Sequence, residues 1–252
     1  MNILLTNDDG YLAKGIQILY EKLSPNHNVY LCAPLKQMSA SSHAISLFKP
    51  MEIKKVSENI YALDGTPADC VKVALLHLFK EVSFDIVLSG INDGPNMGED
   101  IFYSGTVAGA REGLMNDIFS IASSIDGWSE NKNFDKAASF LSELLQNIPK
   151  AILKEKIFLN INFPGIPNFK GIKVTHLGKR IYKDFVIYEE KDGKSFATLT
   201  GDEPGFSPHN GSDMSSVSEG YISITPLANE VFDPRLRDRL SYLEKIEWKT
   251  IF

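Results

Sequence analysis

Two adjacent carboxylates, Asp8 and Asp9, stand directly after a short apolar run near the start of the chain. Two like charges held about 4 Å apart repel by roughly 4 kcal/mol at an effective dielectric constant near 20, and a divalent cation is the usual compensation. The competing interpretation is that one of them caps the helix that follows, which explains one carboxylate well and the second poorly. The pair therefore makes a metal site the first hypothesis, with a helix cap as the alternative.

A strand, a turn and a helix must position these carboxylates. The run Ile3–Leu5 is typical of a strand buried on both faces, and Gly10 permits a sharp turn after it. Ile16, Leu19 and Leu23 then recur at helical spacing. In open α/β sheets ligands bind beyond the carboxyl ends of the strands, so both carboxylates fall where a site is expected.

A serine-rich loop follows the second predicted strand, residues 29–33. Pro34 ends that strand, and the loop then contains Ser39, Ser41, Ser42 and His43. Serines in such a loop form turns more often than they bind ligands. The loop therefore lies in the right place for a site, but its residue types alone assign no ligand.

A glycine-rich loop follows the third predicted strand, residues 84–88, and reads SGINDGPNMGEDIFYSGTVAGAREG. Its glycine spacing matches neither the dinucleotide-binding pattern nor a P-loop. Ser104, Gly105 and Thr106 precede a predicted helix, where backbone N–H groups and two hydroxyls offer donors to a phosphate. The alternative is an ordinary Ser/Thr helix cap, with glycine serving close packing.

Two asparagines, Asn92 and Asn96, belong to the same loop. Their side-chain carbonyls suit a hard cation, whereas their amide nitrogens suit a phosphate oxygen. Residue type alone leaves the choice between these two roles open.

The order of the predicted elements indicates an α/β fold with a doubly wound, mostly parallel sheet. Strands and helices alternate up to Pro164. Beyond it, residues 171–200 alternate around an Asp192–Gly193 turn, which predicts a projecting β-hairpin arm. Residues 229–252 predict a helical tail, with apolar side chains at helical spacing at Leu236, Leu240, Leu243 and Ile246. Both appendages carry more apolar residues than the core needs, so we expect them to build an oligomer.

Composition narrows the class of protein. A formal net charge of −6 argues against a nucleic-acid scaffold held by phosphate contacts. The sequence has no signal peptide and no apolar run of about 20 residues, so we expect no membrane partner. Cys32 and Cys70 match no metal-binding or redox spacing and read as buried free thiols. We expect a cytoplasmic protein.

The motifs NILLTNDDG, SGINDGPN and YSGTV, together with the Ser39 loop, GTPADCV, LNINFP and GSDMSSVSEGYISITPL, resemble the SurE family of survival proteins over essentially the whole length. That family consists of metal-dependent phosphatases of nucleoside monophosphates. The resemblance implies a single Rossmann-like domain over residues 1–252, and dimers or tetramers that exchange C-terminal segments. It also implies a metal held by Asp8, Asp9, Ser39 and Asn92, and a phosphate pocket formed by Asn96, Ser104, Gly105 and Thr106.

The chemistry and the resemblance agree on a phosphomonoesterase. An oxygen-rich set of carboxylates, hydroxyl and amide suits one Mg²⁺ or Mn²⁺ better than zinc. We expect Asp8 and Asp9 to be the catalytic pair of a nucleotidase acting on nucleoside monophosphates, with the 5′ or 3′ position left open. Two alternatives remain: Asp8 as a covalent nucleophile, and a non-catalytic nucleotide sensor. A dinucleotide-dependent oxidoreductase is disfavoured, because NDDG stands where phosphate-binding glycines are needed.

Overall fold

The computed structural model of the chain describes residues 1–127, 132–202, 204–229 and 237. Thirteen strands lie in the described part: β1 (Asn2–Thr6), β2 (Asn28–Pro34), β3 (Ile53–Lys55), β4 (Ile60–Leu63), β5 (Ile86–Asp93), β6 (Ser120–Ile125), β7 (Phe158–Phe163), β8 (Ile172–Val174), β9 (Lys179–Ile181), β10 (Asp184–Lys191), β11 (Lys194–Gly201), β12 (Gly205–Ser207) and β13 (Ile222–Leu227).

Nine of these strands form the central sheet, in the order β3-β4-β2-β1-β5-β6-β7-β13-β8. The six strands from β4 to β7 in that order are mutually parallel, whereas β3 and β13 run antiparallel to their neighbours β4 and β7. The chain proceeds outward in one direction through β1, β2 and β4, and in the other through β5, β6 and β7. The strand order therefore reverses between β1 and β5, which is where an open α/β sheet binds its ligand.

Helices cover both faces of the sheet, which confirms the doubly wound prediction. They are α1 (Lys14–Leu23), α2 (Pro67–Val73, continued by a π-helical turn over Ala74–Leu78), α3 (Gly105–Met115), α4 (Phe134–Asn147) and α5 (Asp213–Ser218). Helices α1 and α4 contact each other, and so do α2 and α3. The larger apolar core lies under α1 and α4, and separate clusters lie under α2 and α3.

A β-bulge interrupts β5 just before the site. The pairing with β6 advances three residues on β5, from Ser89 to Asn92, against two on β6. Gly90 lies in the bulge at φ +131°, where a Cβ would stand 2.3 Å from the carbonyl oxygen of Ser123. Gly15 of α1 packs against the bulge as well, since a Cβ at Gly15 would come within 1.9 Å of the Ile91 carbonyl oxygen. These close contacts fix the direction in which β5 delivers Asn92.

The projecting hairpin is shorter than the arm predicted from the sequence, residues 171–200. Strands β10 and β11 form a two-stranded hairpin from Asp184 to Gly201, and its turn residues Asp192 and Gly193 both adopt positive φ. Strand β8, inside the predicted range 171–200, instead joins the main sheet beside β13. Strands β9 and β12 pair with each other at the base of the hairpin. The predicted arm therefore divides into a sheet strand, a base and a hairpin.

The predicted helical tail, 229–252, falls outside the described residues apart from Asn229 and Arg237, so it stays a prediction. In the part of the chain that the structure describes, no helix has the length and apolarity needed to cross a membrane.

Close packing between α3 and the sheet gives a test of the fold. A Cβ at Gly113 would lie 2.6 Å from Val87 Cβ and 2.4 Å from Ser120 Oγ. Helix propensity alone predicts that Gly113→Ala gains about 1 kcal/mol, but overpacking costs about 1–3 kcal/mol. We expect a net loss of up to about 2 kcal/mol in the free energy of unfolding, measured by urea denaturation. Gly205→Ala, where no atom lies within 4 Å of the added Cβ, is the control. A stabilised Gly113→Ala variant would contradict this packing.

Candidate active site

An acidic pocket of about 380 Å³ opens where β1 and β5 end. Its lining comes from three loops and from the arm: Asp8, Asp9, Gln37, Ser39, Ala40, Asn92, Asp93, Asn96, Asp100, Tyr103, Ser104 and Tyr182. A larger cavity of about 630 Å³ lies between α4 and β8, but its lining is mostly apolar and has a single carboxylate, Glu143. The pocket at the strand ends is therefore the candidate site.

Asp8 is buried against the N-terminus of α3, with 5% of its surface exposed. Its Oδ1 accepts a hydrogen bond from the Thr106 hydroxyl. Gly105 allows this approach, because a Cβ there would lie 3.0 Å from Asp8 Cβ and 2.7 Å from Ser41 Oγ. Burial raises the pKa of Asp8 to about 6, the Thr106 bond opposes that rise, and the charge of Asp9 adds to it. Thr106 thus holds the carboxylate in place, but burial still makes its ionisation unfavourable in free energy.

Asp9 lies beside it in a half-buried position. Its Oδ2 accepts the backbone N–H of Asp93 at 3.0 Å, which ties the end of β1 to the end of β5. Burial raises the pKa of Asp9, and the hydrogen bond from Asp93 acts against that rise. Both members of the predicted pair are therefore harder to ionise than ordinary aspartates.

The charges around the pocket single out this pair. Asp93 forms an ion pair with Lys132, and Asp100 forms one with Arg180. Asp8 and Asp9 have no salt-bridge partner among the described residues. An adjacent pair of carboxylates, one buried and one half-buried, that makes no salt bridge within the described chain is what a divalent cation would neutralise.

The two remaining predicted metal ligands reach the same pocket. Ser39 lies in the loop after β2. The N–H of Met38 donates to the carbonyl of Asp8 at 2.7 Å and so ties this loop to the turn after β1. The Ser39 hydroxyl accepts a hydrogen bond from the Gln37 side chain at 2.9 Å. Asn92 donates its amide nitrogen to the Gly94 carbonyl at 2.7 Å, which leaves its amide oxygen as the atom able to bind a cation.

The donor set fits a hard cation. Within the described residues, no group of three or more His, Cys, Asp or Glu side chains is arranged to hold a metal. The site instead combines two carboxylates with one hydroxyl and one amide oxygen, the oxygen ligands that Mg²⁺ and Mn²⁺ prefer over the nitrogen and sulfur ligands of zinc.

The predicted phosphate residues divide into two groups. Asn96 and Ser104 line the pocket, whereas Gly105 and Thr106 lie directly behind Asp8. Thr106 is fully buried and its hydroxyl serves Asp8, so in this structure it positions the carboxylate. The Ser104 hydroxyl caps α3 by accepting the N–H of Val107 at 3.0 Å. The helix-cap interpretation is therefore correct for Ser104, which also faces the pocket.

Buried amides hold Asn96 at the pocket wall. Its carbonyl accepts from the side chains of Asn160 at 2.8 Å and Asn162 at 3.0 Å, both on β7. Its side-chain nitrogen donates to Ser124 Oγ at 2.8 Å. The loop after β5 is thus fixed to two neighbouring strands through side chains.

An ion-pair network anchors the serine-rich loop from behind. Glu112 of α3 is almost fully buried and accepts from His43 Nε2 at 2.9 Å and from Lys72 Nζ at 2.8 Å. Burial acts to raise the pKa of Glu112, but the bonds from His43 and Lys72 outweigh it and lower that pKa. The loop that carries Ser39 is therefore attached to the same helix whose N-terminus faces Asp8.

Sequence reasoning missed several lining residues. Gln37, Asp93, Asp100 and Tyr103 belong to the loops already identified, and their polar or aromatic character in those loops was the available signal. Tyr182 lies far along the chain in the arm, and nothing in its local sequence connects it to the site.

The fold and the pocket define a class of doubly wound α/β proteins with a carboxylate-rich site at the point where the strand order reverses. A family model described as survival protein SurE matches residues 3–184. A 5′-nucleotidase SurE of Aquifex aeolicus is 40% identical over 245 residues, which cover 96% of this chain and 97% of that protein. One of Kosmotoga olearia is 41% identical over 252 residues, which cover 95% and 98%. The chain belongs to the SurE family.

A solved structure is similar throughout. The crystal structure of the SurE protein from Aquifex aeolicus superimposes with a TM-score of 0.84 at 38% sequence identity, and the match covers 97% of this chain and all of that one. The resemblance found in the sequence is thereby confirmed at the level of family and fold.

The raised pKa of Asp8 predicts how the metal-free protein responds to pH. The folded chain holds the Asp8 proton more tightly than the unfolded chain, so this contribution to stability is present at low pH and is lost as pH rises through about 6. The rise from 3.8 to about 6 corresponds to at most about 3 kcal/mol at neutral pH. In EDTA, Asp8→Asn should therefore be more stable than the unaltered protein at pH 7.5, and the gain should shrink towards pH 4.5.

Thermal unfolding at the two pH values measures this difference. Asp202→Asn, at an exposed carboxylate of the arm, is the control and should show no such dependence. Added Mg²⁺ should raise the Tm of the unaltered protein more than that of Asp8→Asn. Equal stability of the two proteins in EDTA at both pH values would contradict the assignment of Asp8 as a buried, uncompensated carboxylate.

Proposed function

We propose that this SurE-family protein is a metal-dependent 5′-nucleotidase that hydrolyses nucleoside monophosphates to nucleoside and phosphate. The observation that carries the proposal is the Asp8–Asp9 pair, which makes no salt bridge with a described residue and whose buried member, Asp8, lies against the N-terminus of α3. A site that needs a cation and lies beside an anion-binding helix terminus suits a phosphate monoester. Relatives named 5′-nucleotidase SurE, about 40% identical over nearly the whole chain, support the same activity.

The proposed metal ligands are Asp8, Asp9, Ser39 and Asn92, and the proposed metal is one Mg²⁺ or Mn²⁺. All four residues line one pocket, and neither carboxylate forms a salt bridge with a described residue. When bound, the cation would polarise the phosphoryl group and lower the pKa of a water molecule. The protein contributes the positions of the ligands, with Asp8 held by Thr106 and Asp9 by the N–H of Asp93.

The proposed phosphate residues are Asn96 and Ser104, through their side chains, and Gly105 and Thr106, through their backbone N–H groups. The first backbone N–H groups of α3 have no partner within the helix, and they carry partial positive charge. Ser104 and the second amide hydrogen of Asn96 add donors from the pocket wall. Donors fixed before the substrate arrives stabilise charge that develops on the phosphoryl oxygens without reorganising.

Asp8 as a covalent nucleophile is the weaker mechanism. Its carboxylate is nearly buried and one oxygen is occupied by Thr106, whereas a nucleophile must reach the phosphorus atom. We therefore favour attack by water, with both aspartates as ligands. A non-catalytic nucleotide sensor on the same fold is the remaining alternative.

Phosphate release from AMP in the presence of Mn²⁺ or Mg²⁺ separates the enzyme from the sensor. EDTA should abolish release and added cation should restore it, because the two carboxylates repel the phosphate unless a cation lies between them. Asp9→Asn should lower kcat by at least about 100-fold and keep the fold, which circular dichroism can check. Release that continues at full rate in metal-free protein would contradict the metal assignment, and the absence of release with any cation would favour the sensor.

We also propose a homodimer or homotetramer assembled through the hairpin β10–β11. The apolar side chains of this hairpin are exposed on both of its faces: Phe185, Val186, Ile187, Tyr188, Phe196 and Leu199. A two-stranded hairpin is marginally stable alone in water, and a second copy of the chain would cover these side chains.

Shortening the hairpin tests the oligomer. Asp184 and Gly201 are paired neighbours, so residues 185–200 can be replaced by two glycines without moving the base. We expect the oligomer to become a monomer or to aggregate, as measured by size-exclusion chromatography with light scattering. Lys191→Ala with Lys194→Ala, at the tip, is the control. A stable monomer formed by the intact chain at micromolar concentration would refute the proposal.

A cytoplasmic location stays a prediction. Cys32 and Cys70 are free and buried, as expected in a reducing compartment.

A further inference from the structure

Two tyrosines form the outer wall of the acidic pocket. Tyr103 immediately precedes Ser104, and Tyr182 follows β9 at the base of the arm. Tyr103 is 60% exposed and Tyr182 is 41% exposed, although both line the pocket. Large aromatic side chains left open beside a phosphate site present ring surface that water solvates poorly and that a planar ligand can cover.

A single residue, Asp100, holds both tyrosines in place. Its Oδ1 accepts the hydroxyl of Tyr182, and its backbone carbonyl accepts the N–H groups of Tyr103 at 3.0 Å and Ser104 at 3.1 Å. The position of Tyr182 is thus coupled to the start of α3, where the phosphate is proposed to bind. Burial, together with the Asp100 carboxylate, raises the pKa of Tyr182, so its hydroxyl remains a donor.

Arg180 clamps the base of the arm onto the same loop. Its side chain is only 9% exposed and donates to Asp100 Oδ2 through Nε at 2.8 Å and through Nη2. Its backbone N–H donates to Glu99 Oε2 at 2.6 Å. A guanidinium that binds one carboxylate through two nitrogens restricts orientation as well as distance. The arm therefore presents Tyr182 to the pocket in a defined position.

Several polar groups of this wall already have partners within the protein. The Asp100 carboxylate accepts three side-chain N–H or O–H groups, and the Gln37 amide nitrogen donates to Ser39. The Asp100 carboxylate, the Tyr182 hydroxyl and the Gln37 nitrogen are therefore committed to protein partners rather than to the hydrogen-bonding edge of a base. Stacking on an aromatic ring, by contrast, accepts any base, because every base has a π-face.

We infer that Tyr103 and Tyr182 form the nucleoside subsite of this pocket and bind the base by stacking, with Arg180 and Asp100 as positioning residues. The inference rests on the proposed nucleotidase function and names the part of the site that separates nucleotides from other phosphate monoesters. The phosphate lies at the start of α3, the ribose spans the pocket, and the base covers the tyrosine rings. The subsite favours nucleotides over sugar phosphates and discriminates weakly among the bases.

Two measurements on the full-length protein with Mn²⁺ test the subsite. The first compares kcat/KM for AMP with that for ribose 5-phosphate, which keeps the ribose and phosphate but lacks the base. Tyr103→Ala and Tyr182→Ala should each lower the ratio of the two values by about tenfold, within the range found for lost base stacking. Phe102→Ala is the matched control, because Phe102 is an equally exposed neighbouring aromatic (59%) that does not line the pocket, and it should keep the ratio.

The second measurement is adenosine binding by calorimetry, which requires no turnover. Both alanine variants should weaken binding by about tenfold, and Tyr103→Phe, which keeps the ring, should recover most of the affinity that Tyr103→Ala loses. Arg180→Met should weaken binding in the same direction by loosening Tyr182. Guanosine, cytidine and uridine should bind within about tenfold of adenosine.

The possible outcomes test the nucleoside subsite separately from the nucleotidase activity. If neither AMP nor ribose 5-phosphate is hydrolysed, the nucleotidase proposal fails while adenosine binding still decides the subsite. Unchanged adenosine affinity in both alanine variants, or no binding by the unaltered protein at millimolar adenosine, would overturn the subsite. A preference of more than about 100-fold for one base would overturn recognition by stacking.

Discussion

The burial of an adjacent carboxylate pair, nearly complete for Asp8 and partial for Asp9, is the constraint on which this site depends. Asp8 and Asp9 follow the central strand β1, where the sheet order reverses, and burial makes both of them costly to ionise. The neighbouring carboxylates Asp93 and Asp100 each have a cation of their own from the protein. The chain therefore neutralises the rim of the pocket and leaves its centre uncompensated, which is the charge distribution that a bound cation and an anionic substrate would complete.

Much of this arrangement could be predicted from local sequence. Short apolar runs followed by Gly, Pro or Asp mark the parallel strands, and the ends of parallel strands meet at one edge of the sheet. Asp8, Asp9, Ser39 and Asn92 could therefore be expected near one another, and all four line one pocket. The helix cap at Ser104 followed from residue type in the same way.

Contacts between segments far apart in the sequence could not be predicted. The alternation of apolar and polar residues from 171 to 200 predicts one hairpin. Strand β8 instead joins the main sheet, because β13 offers it a free edge. No local sequence pattern encodes this pairing. Thr106 looks like a phosphate donor in sequence, but its hydroxyl is taken by Asp8, 98 residues away. Tyr182 likewise reaches the pocket through contacts with a loop about 80 residues earlier. Such contacts depend on tertiary packing, whereas periodicity reports only the local chain.

The two glycines at the crossing of α1 and β5 have a consequence for how such a protein can diverge. Gly15 and Gly90 leave no room for a side chain, so any replacement shifts the strand that delivers Asn92. The end of the pocket that carries the carboxylates therefore cannot change by small steps. The outer wall is built from exposed side chains of loops and of the arm, which accept substitution at little cost to the core. Over evolutionary time, new substrate preferences are accessible to this scaffold through the wall, while the chemistry at its centre stays the same.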